Sequence, residues 1–431
     1  MKTLKKRHPM INTLLNLKGN TKACVYTEPL WGIPFNLYTP YASVYMFALG
    51  LGDSQIGLVA SIGLAFQILF ALLSGAITDK LGRRKTTFIF DIIAWSVPCL
   101  IWFFAKNFTY FMVAAIINSV QRVTANSWTC LLVEDAEQEK LVYIYSWVHM
   151  AGLIAAFFAP IAGFFVAKFD VIPAVRILYL IAFIMMTSKF VILYIFSEET
   201  QQGKRRIEET KNEHIFSLLK QYGGVLKIIL ESPQTLLSFG ILLVMSIVNM
   251  VNTTFWPLYI TEKIGVSVQM VSLFYFLRSA TILVIYFVII PKINLSLFKY
   301  PLLIGFSLFI VSQTLLISAP AHSYIILVVS TLLEAFSLSL INPLTDSLTI
   351  INVDPNERAR IMAILHVIMI ALTSPFGWIA GILSEKWRPL PFILNIFLFV
   401  IGIIFTYLLS LITKNKDKIK EEIVFVEKSL K

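Results

Sequence analysis

Apolar residues in this chain come in runs too long for a soluble core. Crossing a bilayer takes about 20 consecutive, mainly apolar residues in a helix. Twelve segments meet that length: 24–50, 54–78, 87–105, 109–133, 141–167, 172–197, 234–261, 267–290, 300–319, 323–351, 360–384 and 390–413. Composition points the same way. Hydrophobic residues make up 57% of the chain and charged residues 14%, against roughly 45–50% and about 25% in soluble domains. The fold class expected is therefore all-α and integral to a membrane, with twelve transmembrane helices.

The formal net charge of +11 raises the question of a nucleic-acid partner. The positions of the cations answer it. Lys106, Lys168, Lys263, Lys386 and Arg388 fall in alternate loops, and Arg122, Arg176, Lys189 and Arg278 fall within spans. The remaining Lys and Arg sit on the other loops and the two tails, as the positive-inside rule requires when both termini are cytoplasmic. The partners expected are a lipid bilayer and a small-molecule substrate, with no nucleic acid. The basic start, Met1 to Arg7, lacks a short apolar stretch with a cleavage site and reads as a retained cytoplasmic tail. The three cysteines are scattered in apolar runs and indicate neither a disulfide framework nor a metal site.

The longest polar stretch divides the spans six and six. This gives an N-tail 1–23, a first six-helix bundle 24–197, a linker 198–233, a second six-helix bundle 234–413 and a C-tail 414–431. The first half of the linker reads equally as solvated chain or as helix. Its second half, with Ile215, Phe216, Leu218 and Leu219, reads as a surface amphipathic helix. Acidic stretches after the fourth and tenth spans, and Pro160 with Gly163 against Pro375 with Gly377, hint at an internal repeat. Such a repeat is what a two-bundle transporter would show.

One loop is more specific than its charge. Between the second and third spans stands Gly75-Ala76-Ile77-Thr78-Asp79-Lys80-Leu81-Gly82-Arg83-Arg84-Lys85. Gly82 can take the positive φ of a tight turn, and Asp79 can pair with neighbouring cations or accept backbone N–H bonds. On charge alone this is equally a generic basic loop. The spacing resembles the signature loop of the major facilitator superfamily, and Asp53-Ser54-Gln55-Ile56-Gly57 also resembles that family. The resemblance implies two bundles and alternating access. It makes Gly75, Asp79, Gly82, Arg83 and Arg84 a gating loop, with Asp91 in the same charge network. Gln121 to Asn126 resembles, at Arg122, the arginine motif of proton-coupled drug exporters in the superfamily, without the Gln and Gly that follow there.

Ionisable residues inside a span cost about 2.5–3.5 kcal/mol by insertion scales and call for a cavity or a partner. Arg122, Arg278 and Glu334 lie near the middle of spans 4, 8 and 10, and Glu28 opens a first span bent by Pro29, Pro34 and Pro40. The resemblance implies that spans 1, 4, 7 and 10 line a central cavity. Two readings follow. Arg122 and Arg278, with Tyr275, meet an anionic substrate group while Glu28 or Glu334 carries a coupling proton; or a permanent Arg–Glu bridge only holds the bundles together. Asn249, Asn252 and Trp256 recur at helical spacing and form either a wet cavity stripe or helix–helix hydrogen bonds. Lys189 reads as a snorkelling lysine at the end of span 6.

The chain holds no His-Glu-x-x-His, Gly-x-Ser-x-Gly or phosphate-loop motif, and neither an enzyme nor a resident cofactor is expected. The expected function is secondary active transport of a small organic solute, coupled to an ion gradient, with efflux as one direction. The alternatives are import of an organic anion or sugar derivative, and a non-transporting sensor. A monomer in the plasma membrane is expected.

Overall fold

A computed structural model describes residues 14–137, 140–211, 229–288, 298–351 and 358–429, giving backbone only at 142, 143, 146, 149, 350, 351, 358–360, 363 and 414–429. The described residues are helical, without strands. In chain order the helices are α1 Gly19–Thr27, α2 Pro29–Tyr38, α3 Ala42–Ala48, α4 Asp53–Leu81, α5 Arg83–Asp91, α6 Val97–Phe103, α7 Phe108–Asn118, α8 Gln121–Val133, α9 Leu141–Ala156, α10 Ala159–Phe169, α11 Val171–Phe196 and α12 Gln201–Thr210. They continue with α13 Pro233–Glu262, α14 Val271–Val288, α15 Lys299–Ser318, α16 Tyr324–Ile351, α17 Arg358–Lys386 and α18 Leu390–Ser429.

Among the described residues, ten helices are long and apolar enough to cross a membrane. Of the twelve expected spans, the first and fourth are not among these ten. The first is interrupted at Glu28–Pro29 and again at the 3-10 turn Thr39–Tyr41. Pro29 and Pro40 lack the N–H that would continue the helical ladder. The fourth is interrupted between α7 and α8, where no proline stands. There the chain tightens to three-residue hydrogen bonds, Val120 N–H to Ile117 O at 3.2 Å and Val123 N–H to Val120 O at 2.9 Å.

That tightening has a tertiary partner. Pro98 supplies no N–H to the Ala94 carbonyl four residues back, within the π-helical stretch Ile92–Ser96 that joins α5 to α6. The Asn118 side-chain amide donates to this carbonyl at 2.7 Å. A proline-freed acceptor and a break in the neighbouring span thus satisfy each other.

Packing divides the chain into two compact units: Met1–Gln221 with Val266–Phe276, and Tyr222–Gly265 with Leu277–Lys431. In the first unit α11 packs on α2, and α8 packs on both α4 and α5. In the second, α15, α16 and α18 pack together and α13 lies against α17 and α18. The segment Val266–Phe276, read from sequence as part of the second bundle, packs in the first unit. The first half of the linker is the helix α12. The second half, and the loops 289–297 and 352–357 that bear on the internal repeat, lie outside the described residues.

Candidate functional site

In the first unit the signature loop is clasped by carboxylates. Gly82 has φ +87°, and a Cβ there would stand 2.5 Å from Glu199 Oε2. Glu199 accepts from the backbone N–H of Arg83 at 2.8 Å and of Arg84 at 3.1 Å, capping the start of α5 where the helix dipole favours an anion. Arg83 is buried and donates to Glu134 and, at 3.0 Å, to Asp79. Asp79 also accepts from Arg206 on α12 at 2.8 Å. Arg84 donates to the Tyr194 carbonyl and lies over the Tyr194 ring, 4.1 Å from its centroid. Arg205 and Arg206 hold the exposed Glu209 carboxyl below its ordinary range. Gly75 has open space around its Cα.

Deeper in the same unit is a cavity of about 490 Å³. Its walls follow helical periodicity. Trp31, Phe35 and Tyr38 come from one face of α2; Asn118, Gln121, Thr124 and Trp128 recur every three to four residues across α7 and α8. Asp91, Trp95 and Trp102 come from α5, the π-helical stretch and α6. The aromatic rings brace one another: Trp31 stacks on Phe35 at 4.7 Å, and Trp95 meets Trp31 edge-on at 5.1 Å.

Three charges stand in this wall. Lys189, on α11, is 4% exposed, which overturns its reading as a snorkelling residue. Its ammonium donates to Glu28 Oε2 at 2.8 Å and lies 5.8 and 5.5 Å from the Trp31 and Trp128 ring centroids. Asp91 is buried, accepts from Thr124 Oγ1 at 2.6 Å and interacts electrostatically with Lys189. The sequence reading placed Asp91 with the loop; the structure places it in the cavity wall.

The second unit holds a separate polar string. Arg278 Nη1 reaches Glu334 Oε1 at 3.1 Å. Asn252 donates to the same oxygen at 3.3 Å and accepts from Asn395 at 2.8 Å. Glu334, Asn252 and Asn395 are buried, and the string ties α13, α14, α16 and α18. Trp256, about one helical turn after Asn252, is buried, whereas Asn249 is exposed. Tyr275 is half-buried and belongs to the first unit. Arg122 also lies in the first unit and turns to α4, donating to Gln67 at 2.7 Å. Of the residues proposed from sequence, the structure brings Glu28 and Asp91 together at one cavity, and Arg278, Glu334 and Asn252 in one string. Lys189 was misread, and Trp31, Trp95, Thr124 and Trp128 were missed as cavity residues, although the aromatic and polar spacing on α2 and α8 carried the signal.

A family model described as Major Facilitator Superfamily matches residues 32–300 and 237–428. The chain is 22% identical over 226 residues to a multi-drug resistance efflux pump of Streptococcus pneumoniae, a match covering 51% of this chain and 55% of the pump. The chain thus spans about half the length of the curated relatives it matches. Among solved structures, the nucleoside transporter NupG aligns with TM-score 0.69 and 12% identity, over 92% of this chain and all of that one (100%). A POT family transporter bound to a thioalcohol-conjugated peptide aligns with TM-score 0.66 and 14% identity, over 94% and 99%. The human organic anion transporter MFSD10 aligns with TM-score 0.60 and 14% identity, over 93% and 100%. At these identities the likeness is one of fold.

Proposed function

The chain belongs to the Major Facilitator Superfamily, and from that premise we propose that it is a secondary active transporter of a small organic solute, working by alternating access in the cell membrane with both termini inside. The observation that carries this reading is the first unit's cavity. A space of about 490 Å³ among apolar helices, walled by tryptophans and holding three charges, suits a solute of drug-like or metabolite size. Charges so placed are costly and mark substrate or ion paths. Glu334 is the proposed coupling carboxylate: it accepts from Arg278 and Asn252, and a proton taken up by its carboxyl would compete with both contacts. Glu28 is its counterpart in the first unit, released from Lys189 in the same way. The loop from Gly75 to Arg84 is the proposed gate. The efflux direction draws support from the match to the pump and is part of the proposal.

The test is flux into liposomes carrying the purified protein, with an imposed pH gradient and a panel of aromatic amines, organic anions and nucleosides. Solute movement that follows the gradient, with the sign of an antiporter, supports proton-coupled export. A protein that is thermally stabilised by panel solutes yet moves none is a sensor on a transporter's fold.

A further inference from the structure

The charges in the first unit's cavity do not balance. Glu28 and Lys189 form an ion pair at 2.8 Å and cancel. Asp91 remains, with Thr124 as its hydrogen-bond donor. Gln121 and Asn118, the other polar side chains on that wall, are neutral amides, and they bond to each other at 2.8 Å. Lys189 thus serves two carboxylates, Glu28 in direct contact and Asp91 through a longer electrostatic interaction, so the cluster carries one negative charge in excess, which a desolvated wall tolerates poorly.

The walls already accept an ammonium. Lys189 Nζ lies within 6 Å of two tryptophan rings, the geometry of cation–π attraction. Trp128 Nε1 and Thr39 Oγ1, also in the lining, are buried with no hydrogen-bond partner. Both can donate to an acceptor on a bound molecule.

Resting on the reading of this cavity as the substrate site, we propose that it takes an aromatic organic monocation, with Asp91 as the counter-ion and Lys189 as a resident cation that sets the accepted charge at one. Lys189 occupies the Glu28 half of the site. It leaves room for one further positive charge at Asp91, with the ring of the solute between the tryptophans. The charge accepted by the site is then a count over three side chains, and it changes predictably when they change.

The experiment uses four naphthalene compounds of similar shape: naphthylmethanol, naphthylmethylamine, bis(aminomethyl)naphthalene and naphthylacetate. Binding to the full-length detergent-purified protein is read by thermal stabilisation, which rises with ligand concentration over Kd. The wild type should prefer the monoamine over the alcohol on the order of ten- to a hundredfold, the range of a desolvated charged hydrogen bond. Asp91→Asn should lose that preference and bind alcohol and monoamine alike. Lys189→Met should shift preference to the diamine. Because Lys189→Met strands Glu28, the double variant Glu28→Gln with Lys189→Met keeps the proposal testable. It removes the whole pair and should return to preferring the monoamine. A wild type stabilised most by naphthylacetate, or a preference unmoved by Asp91→Asn, overturns the proposal. Flux in liposomes is scored separately. Charge-dependent binding without flux rejects the transport reading and keeps the cation site; flux without charge preference does the reverse.

Discussion

Gly82 is opposed to any side chain on two counts. Its φ is +87°, and Glu199 fills the place a Cβ would take. Gly82→Ala should therefore cost about 1–3 kcal/mol from backbone strain alone, and more through the displaced carboxylate. The measurable outcome is a lowered melting temperature in detergent. Glu199→Gln should do less, since an amide oxygen still accepts from one of the two backbone N–H groups. Gly75→Ala, with open space around it, should leave the melting temperature unmoved. The turn at Gly82 was legible because only glycine tolerates that backbone readily. Its carboxylate cap was not, because Glu199 lies more than a hundred residues away and nothing local ties the two. Lys189 was misread for a related reason: its place in the sequence matches a helix end, where a lysine reaches water. The Glu28 that holds it belongs to another helix.

At the scale of elements, the spans were visible as apolar runs, and the prolines announced the breaks of the first. The break between α7 and α8 had no local signature. It follows from Pro98 on a neighbouring helix, through the Ala94 carbonyl and the Asn118 amide. Asn118→Ala should cost about 1–3 kcal/mol, the penalty for a buried acceptor left unpaired. Pro98→Ala restores a backbone N–H for that carbonyl. A double-mutant cycle should therefore show coupling, with Asn118→Ala costing less in the Pro98→Ala background. Additive melting shifts would mean that the two breaks are independent. The α12 helix was one of two open readings of the linker. Its selection here comes from Arg206 meeting Asp79, a contact that requires the folded first unit.

At the scale of the whole molecule, the two units carry unlike polar centres. The first has a roomy aromatic cavity with three charges; the second has a packed string from Arg278 to Asn395. Under the proposed function, solute contact belongs to the first unit and the Glu334 coupling step to the second. Glu334→Gln should accordingly abolish gradient-driven accumulation in liposomes while retaining solute exchange at equal pH. Loss of exchange as well would place Glu334 in solute binding. The family and the all-helical membrane class were legible in sequence. The placement of Val266–Phe276 in the first unit was not, because it depends on contacts such as the Tyr41 hydroxyl donating to the Gln269 carbonyl at 3.3 Å.

The carboxylate clasp also orders the birth of the protein. A chain emerging from the ribosome makes Asp79, Gly82 and Arg83 early, and domains generally fold from the N-terminus as they are made. Yet Glu199 and Arg206, which cap and pair that turn, are translated only after the sixth apolar run has passed. Until then the nascent turn has Asp79 and Glu134 beside its cations but lacks the Glu199 cap. The turn therefore reaches its finished form late, when the stretch after the sixth apolar run is made.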